Sequence, residues 1–189
     1  MRSERAAAVL LAAGAGARFG GGKLDAKLRG ARIGARAWST LSEFAWLASG
    51  VVVPDSVPAF AVEAGAPLIA NPEASSGMAS SLHRAVAFAR HEGADALLIA
   101  LADMPFVSRD TLAELLAVHD SEATSAAAVL HGSGVPGAPA LIGSGCFEDL
   151  LEIQGDRGAG SYLASRQVAL LNVDPAELRD IDHVADLIS

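Results

Sequence analysis

Three charged side chains stand where phosphate chemistry would need them. Arg18 and Lys23 are interleaved with Gly14, Gly16, Gly20, Gly21 and Gly22, and Asp103 follows the apolar run Ala96–Leu101. Glycines permit left-handed backbone and close approach, so successive N–H groups can turn into one concavity. Such a concavity, flanked by cations, suits a polyphosphate. Asp103 falls just beyond the carboxyl end of an expected strand, the edge where ligands gather in open α/β sheets. A carboxylate there can hold Mg²⁺ bridging a nucleotide's phosphates. An Asp after a strand can also be a simple turn or cap residue. Here Ser108 already supplies a cap for the following helix, which favours metal binding.

Three phosphate-binding patterns compete for the glycine segment. A P-loop requires G-x-x-x-x-G-K-[ST]; Gly22-Lys23 would supply its GK, but Ala17 replaces the first glycine and Leu24 the metal-binding hydroxyl. A dinucleotide fingerprint requires G-x-G-x-x-G with an acid about twenty residues on. Phe19 takes the place of its third glycine, and positions 33–46 hold only Glu43, inside a helical pattern. The third pattern, L-A-A-G-x-G-x-R-x-G-x-x-K, is fulfilled at every specified position from Leu11 to Lys23.

On those residues the chain resembles the nucleotidyltransferases of the MobA-like NTP transferase family. With the continuation GGGKLDAKLRGARIGARA, it resembles most the branch that cytidylylates molybdenum cofactor. The resemblance implies that Leu11, Ala12, Ala13, Gly14 and Gly16 bind nucleotide and that Arg18 and Lys23 hold its triphosphate. The segment Asn71–Leu82 is similar to the family's NP-x-x-x-x-G-M-x-x-S-L, which implies nucleotide contacts at Gly77, Ser80 and Ser81. The same serines, placed just before a helix, could simply cap it. Asp103-Met104-Pro105 matches the family's D-M-P, whose Asp ligates Mg²⁺. Gly155-Asp156-Arg157-Gly158-Ala159 looks like the family's G-D-[KR]-G-A-R, implying that Asp156 and Arg157 meet the acceptor or brace the loop. A helix cap at Asp156 with a solvated Arg157 is the alternative, and Gly160 stands where the family has a further arginine. Asp180-Ile181-Asp182 matches the family's closing D-I-D. Asp182 is then either a second metal ligand or an N-cap for the last helix, expected over Val184–Ile188.

Within this family Leu-Ala-Ala-Gly accompanies cytidylyl transfer and Leu-Ala-Gly-Gly guanylyl transfer, so Ala13 points to CTP. The resemblance implies transfer of CMP from CTP to a molybdopterin-type acceptor with release of pyrophosphate. A molybdenum enzyme would be the recipient of the product. The alternatives are guanylyl or other nucleotidyl transfer to a different phosphorylated acceptor, or a non-catalytic nucleotide-binding accessory role.

The elements that must position these residues alternate strand and helix throughout. Strands are expected at 7–11, 50–53, 66–70, 96–101, 124–130, 139–142 and 168–173, and helices at 33–47, 82–91 and 108–119. That order implies one three-layer α/β/α domain over 1–189, Rossmann-like and GT-A-like, with a mostly parallel sheet. Pro54, Pro58 and Pro67 confine any helix between them to a turn or two. Lys27 reads as a solvated surface residue, and His83 and His91 as surface residues of their helix.

Bulk composition sets the outer limits. The 189 residues are 51% hydrophobic, which excludes a disordered chain. A net charge of −8, from 14 Lys and Arg against 22 Asp and Glu, argues against a nucleic-acid surface. No apolar run reaches the ~20 residues that span a bilayer. The basic start and apolar stretch of MRSERAAAVLL superficially resemble a signal peptide. They run directly into the glycine turn, so they read as a core strand of a cytoplasmic protein. Cys146 is the single cysteine, which excludes a disulfide framework and an all-cysteine metal site.

Overall fold

A computed structural model describes residues 3–14, 19, 21–121 and 125–187. Its strands are β1 (Ala6–Leu11), β2 (Lys27–Leu28), β3 (Ala31–Arg32), β4 (Ala48–Val53), β5 (Leu68–Ala70), β6 (Ala96–Leu101), β7 (Ala126–Leu130), β8 (Pro136–Gly143) and β9 (Ala169–Leu171). The helices are α1 (Ile33–Ser42), α2 (Ala59–Glu63), α3 (Met78–His91), α4 (Arg109–Ser121), α5 (Phe147–Leu151) and α6 (Ala159–Leu163). Among the described residues a seven-stranded sheet runs in the order β5-β4-β1-β6-β8-β7-β9, and β2-β3 form a separate hairpin. Every pairing in the large sheet is parallel except those of β8, which runs antiparallel to both β6 and β7.

The sequence of β1, AAAVLL, is apolar at every position because both faces of this strand are covered. Side chains alternate across it. Ala6, Ala8 and Leu10 enter one buried cluster with Trp38 and Leu41 of α1, Phe60 of α2, and Leu112 and Leu115 of α4. Ala7, Val9 and Leu11 enter the other with Leu82, Val86 and Ala89 of α3, Leu150 of α5 and Leu163 of α6. The result is the three-layer α/β/α arrangement expected from the alternation of elements.

The topology also fixes where a ligand can enter. From β1 the chain moves outward through β4 to β5, then returns through α3 to β6 on β1's other side. The order therefore reverses between β1 and β6, and the crevice outside their carboxyl ends is the topological switch point. The ladder continues one step past the strands, with Ala102 N–H donating to Leu11 O at 3.1 Å and Ala12 N–H to Val52 O at 2.9 Å. The glycine turn and Asp103 begin just beyond it.

Several boundaries differ from the sequence expectation. α1 ends at Ser42 instead of 47, because the following strand claims the chain: Leu47 N–H already donates to Ala6 O at 3.0 Å. The Trp46 indole closes the helix by donating to Leu41 O at 2.7 Å. The last helix is a 3-10 turn, Val184–Leu187. Among the described residues no helix is long and apolar enough to cross a membrane.

Close packing of α1 on α2 depends on Gly34. A Cβ there would lie 2.4–2.7 Å from the ring of the fully buried Phe60. Gly34→Ala is therefore expected to destabilise the protein by about 1–3 kcal/mol through overpacking. Urea unfolding checks this, and an unchanged midpoint would contradict the assigned contact.

Candidate active site

Lys23 follows Gly21 (φ 94°) and Gly22 (φ 65°), whose left-handed backbone turns the chain into a short 3-10 segment, Lys23–Asp25. Side chains on either side brace that segment. The Asp25 carboxylate accepts the N–H groups of Ala59 (2.9 Å) and Phe60 (2.7 Å), closing the start of α2. Arg32 donates to Asp25 O at 2.9 Å while pairing with Glu63. The β2–β3 hairpin then turns through Arg29 (φ 50°) and Gly30 (φ 89°). Lys23 thus projects from a fixed bracket.

Asp103 sits in the turn after β6, flanked by buried Ala102 and Met104. Its carbonyl accepts Ile181 N–H at 3.0 Å, which draws in the C-terminal segment. Ile181 is fully buried against Leu28 and Ile33, so Asp182 is delivered to the same crevice. The Lys23 ammonium lies between the two acids, 2.8 Å from Asp103 Oδ2 and 2.9 Å from Asp182 Oδ1. Burial by itself pulls the Lys23 pKa down, but the bonds and charges of Asp103 and Asp182 more than reverse this and hold it above the ordinary lysine value.

The Asp186 carboxylate reaches back over the start of the last 3-10 turn, accepting Asp182 N–H at 3.0 Å and His183 N–H at 2.8 Å. Those bonds, His183 first, hold the Asp186 carboxyl below its usual range. Ser108 does cap α4, its Oγ accepting Thr111 N–H at 3.1 Å.

The second predicted segment assembles under the same edge. α3 begins at Met78, so Ser80 and Ser81 lie within its first turn and do not precede it. Both are buried. Asn71 Nδ2 donates to their hydroxyls at 2.9 and 3.1 Å, and Ser80 Oγ donates to Gly77 O at 2.8 Å. Asn71, 1% exposed, also accepts Glu73 N–H at 3.1 Å; the sequence reading had not singled it out. Its pattern is an Asx turn at a strand end, a signal that was present in Asn-Pro-Glu. Asn71→Ala should cost about 1–3 kcal/mol by orphaning buried polar groups, read as a lower denaturant midpoint. No shift would mean that the serines are satisfied elsewhere.

Gly77 brings the Gly155-Asp156 loop onto the α3 start. Gly155 O accepts Ala79 N–H at 3.0 Å, and a Cβ on Gly77 would lie 2.8 Å from Asp156 Oδ1. Asp156 and Arg157 are both exposed, as is Lys27. Leu11, Ala12 and Ala13 are buried at the end of β1, with the Ala13 methyl in the cluster that also holds Ala79. Gly14 follows, and a Cβ on it would meet nothing within 4 Å. Gly16 and Arg18 lie outside the described residues. Further along the edge, a cavity of about 400 Å³ opens at the ends of β7 and β9, lined in part by His131, Gly132, Asn172 and Val173.

An open α/β sheet, with Lys23 and two converging carboxylates at its switch point, is an arrangement suited to phosphoryl-type chemistry. The model of the MobA-like NTP transferase domain matches residues 8–170, and the chain belongs to that family. It is 34% identical to the purine catabolism protein PucB of Bacillus subtilis (strain 168), over 96% of this chain and 94% of that protein. Among solved structures, the homologue of Mycobacterium tuberculosis Rv0371c from Mycobacterium sp. strain JC1 superposes with a TM-score of 0.82 at 24% identity, covering 98% of this chain and 94% of that one. Molybdopterin-guanine dinucleotide biosynthesis protein A from Archaeoglobus fulgidus superposes with a TM-score of 0.73 at 21% identity, covering 96% and 95%. The family gives nucleotidyl transfer as the class of reaction, and these structures share the fold.

Proposed function

We propose that this protein transfers a nucleotidyl group from a nucleoside triphosphate to a phosphate-bearing acceptor with release of pyrophosphate, assisted by Mg²⁺. The observation that carries this reading is the convergence of Lys23, Asp103 and Asp182 on one point beside the glycine turn. An ammonium centred between two carboxylates marks a notch that already selects a cation, and its all-oxygen donor set is the kind Mg²⁺ takes. Asp103 and Asp182 would hold the ion, which when bound supplies charge neutralisation and Lewis acidity at the phosphates.

The remaining steps belong to the chain. The glycine turn, Lys23 and Arg18 bind and orient the triphosphate, so that an acceptor phosphate oxygen faces the α-phosphorus in line. The new P–O bond forms as the bond to the β-phosphate oxygen breaks, and the electron pair leaves with pyrophosphate. No protein nucleophile is needed, because positioning and charge stabilisation suffice for phosphoryl-type transfer. Asp156 and Arg157, exposed on the loop beside Gly77, would contact the acceptor. The cavity at the ends of β7 and β9 offers room for the rest of that molecule.

The broad form of this reading has the wider support. One relative is named for purine catabolism and a fold neighbour for molybdopterin-guanine dinucleotide biosynthesis, and these names do not point to a single base or acceptor. CTP with molybdopterin is the specific pair to try first, on the strength of Leu11-Ala12-Ala13-Gly14. Pyrophosphate release should be compared for CTP, GTP and ATP against molybdopterin carrying molybdenum and against a sugar phosphate. Turnover with CTP and molybdopterin alone would establish cytidylyl transfer. Turnover with GTP or another acceptor would keep the mechanism and replace the pair. Nucleotide binding without turnover for any pair would favour the accessory role.

A further inference from the structure

We propose that Lys23 is a built-in counter-cation that holds the Asp103–Asp182 notch against free divalent metal, so that metal enters together with the nucleoside triphosphate whose phosphates draw Lys23 away. This rests on the nucleotidyltransferase reading of the site and adds an order of entry to it.

The basis is geometric. Lys23 Nζ is 2.8 Å from Asp103 Oδ2 and 2.9 Å from Asp182 Oδ1, and its side chain is only 10% exposed. An ion held at about 2.1 Å from those oxygens would overlap the space the ammonium fills. The two cations therefore exclude one another.

Donor count points the same way. Among the described residues no cluster of three or more His, Cys, Asp or Glu side chains could hold a metal. An ion arriving alone would find two protein carboxylates and would have to expel a paired ammonium from a partly buried site. An ion arriving with a triphosphate brings further oxygen ligands and offers Lys23 another anion. Lysine suits the exchange, since its charge is compact and rides on a flexible four-carbon stem. Its backbone stands at the end of the glycine turn, so the head can pass from carboxylate to phosphate by side-chain rotation. Binding of metal and nucleotide is then reciprocally coupled.

The test is Mn²⁺ binding to the full chain at pH 7.5 without nucleotide or acceptor, read from the electron paramagnetic resonance of the free ion. Lys23→Met removes the charge and keeps most of the stem, and is expected to tighten Mn²⁺ binding at least about fivefold. A smaller gain, or weaker binding, overturns the proposal. A second measurement needs only the unaltered protein: the nitrogen-15 signal of the Lys23 ammonium, assigned with Lys23→Arg. Millimolar Mg²⁺ alone should leave that signal in place, and Mg²⁺ with CTP or GTP should shift it. A shift with Mg²⁺ alone, or none with either nucleotide, overturns it. The Mn²⁺ arm contains no substrate, so its failure leaves the transfer reading standing. Absence of pyrophosphate release would sink that reading without touching the Mn²⁺ result.

Discussion

Asp103→Asn should lower pyrophosphate release by about a thousandfold, the scale of losing one preorganised charge-stabilising group at a transferring phosphate. The fold should survive almost unchanged. Asparagine keeps the size of the side chain, the neighbours Ala102 and Met104 remain buried, and Lys23 retains Asp182 as a partner. The backbone carbonyl that accepts Ile181 N–H is untouched, so the C-terminal segment stays docked. A melting temperature within about 4 °C of the parent, together with the loss of turnover, is the expected pair of results. Near-normal turnover would remove Asp103 from the metal site and leave the ion pair with Lys23 as a purely structural contact.

Gly77→Ala should be the most damaging glycine-to-alanine change among the described residues. Gly77 has φ 111° and ψ 178°, a region of backbone space open essentially to glycine alone. Its Cβ would also stand 2.5 Å from the backbone carbonyl carbon and oxygen of Gly155. Backbone atoms cannot swing aside as a flexible side chain would. Conformational strain and collision together predict a loss of about 3 kcal/mol or more, measured by urea unfolding. The damage should reach function as well, since the Gly155-Asp156 loop must retreat from the α3 start. In protein that remains folded, the KM for the acceptor should rise more than the KM for the nucleotide. A stable variant with unchanged kinetics would show that this contact does not position the acceptor loop.

The sequence alone made the layers legible. The run at β1 and its counterpart at β6 are apolar without alternation, the mark of strands covered on both faces, and the helical periodicity between them assigned the outer layers. The position of Asp103 just past a strand's carboxyl end was legible because strand and turn are adjacent in sequence. The Lys23–Asp182 pair was not, since its members are 159 positions apart and meet through the burial of Ile181 and its bond to the Asp103 carbonyl. Ser80 and Ser81, read from sequence as nucleotide contacts, had capping as their alternative because side-chain chemistry favours serine just before a helix. The helix start is set instead by the backbone of Gly77, one turn earlier. Asn71 was hidden for a related reason: its role depends on reaching two hydroxyls in the next element, and local turn chemistry does not reveal that reach. The end of α1 was misplaced because periodicity continued through Phe44 while pairing with β1 had already drawn Leu47 into the sheet.

The central claim is that this site moves the α-phosphate of a nucleoside triphosphate onto an acceptor phosphate. Phosphorus-31 NMR of the reaction with Mg²⁺, CTP or GTP, and molybdopterin follows both ends of that bond at once. The account predicts pyrophosphate together with a new diphosphate linkage joining nucleoside and acceptor, neither forming when Mg²⁺ or acceptor is omitted. Orthophosphate and a nucleoside diphosphate in their place would mean cleavage at the terminal phosphate, and would contradict it.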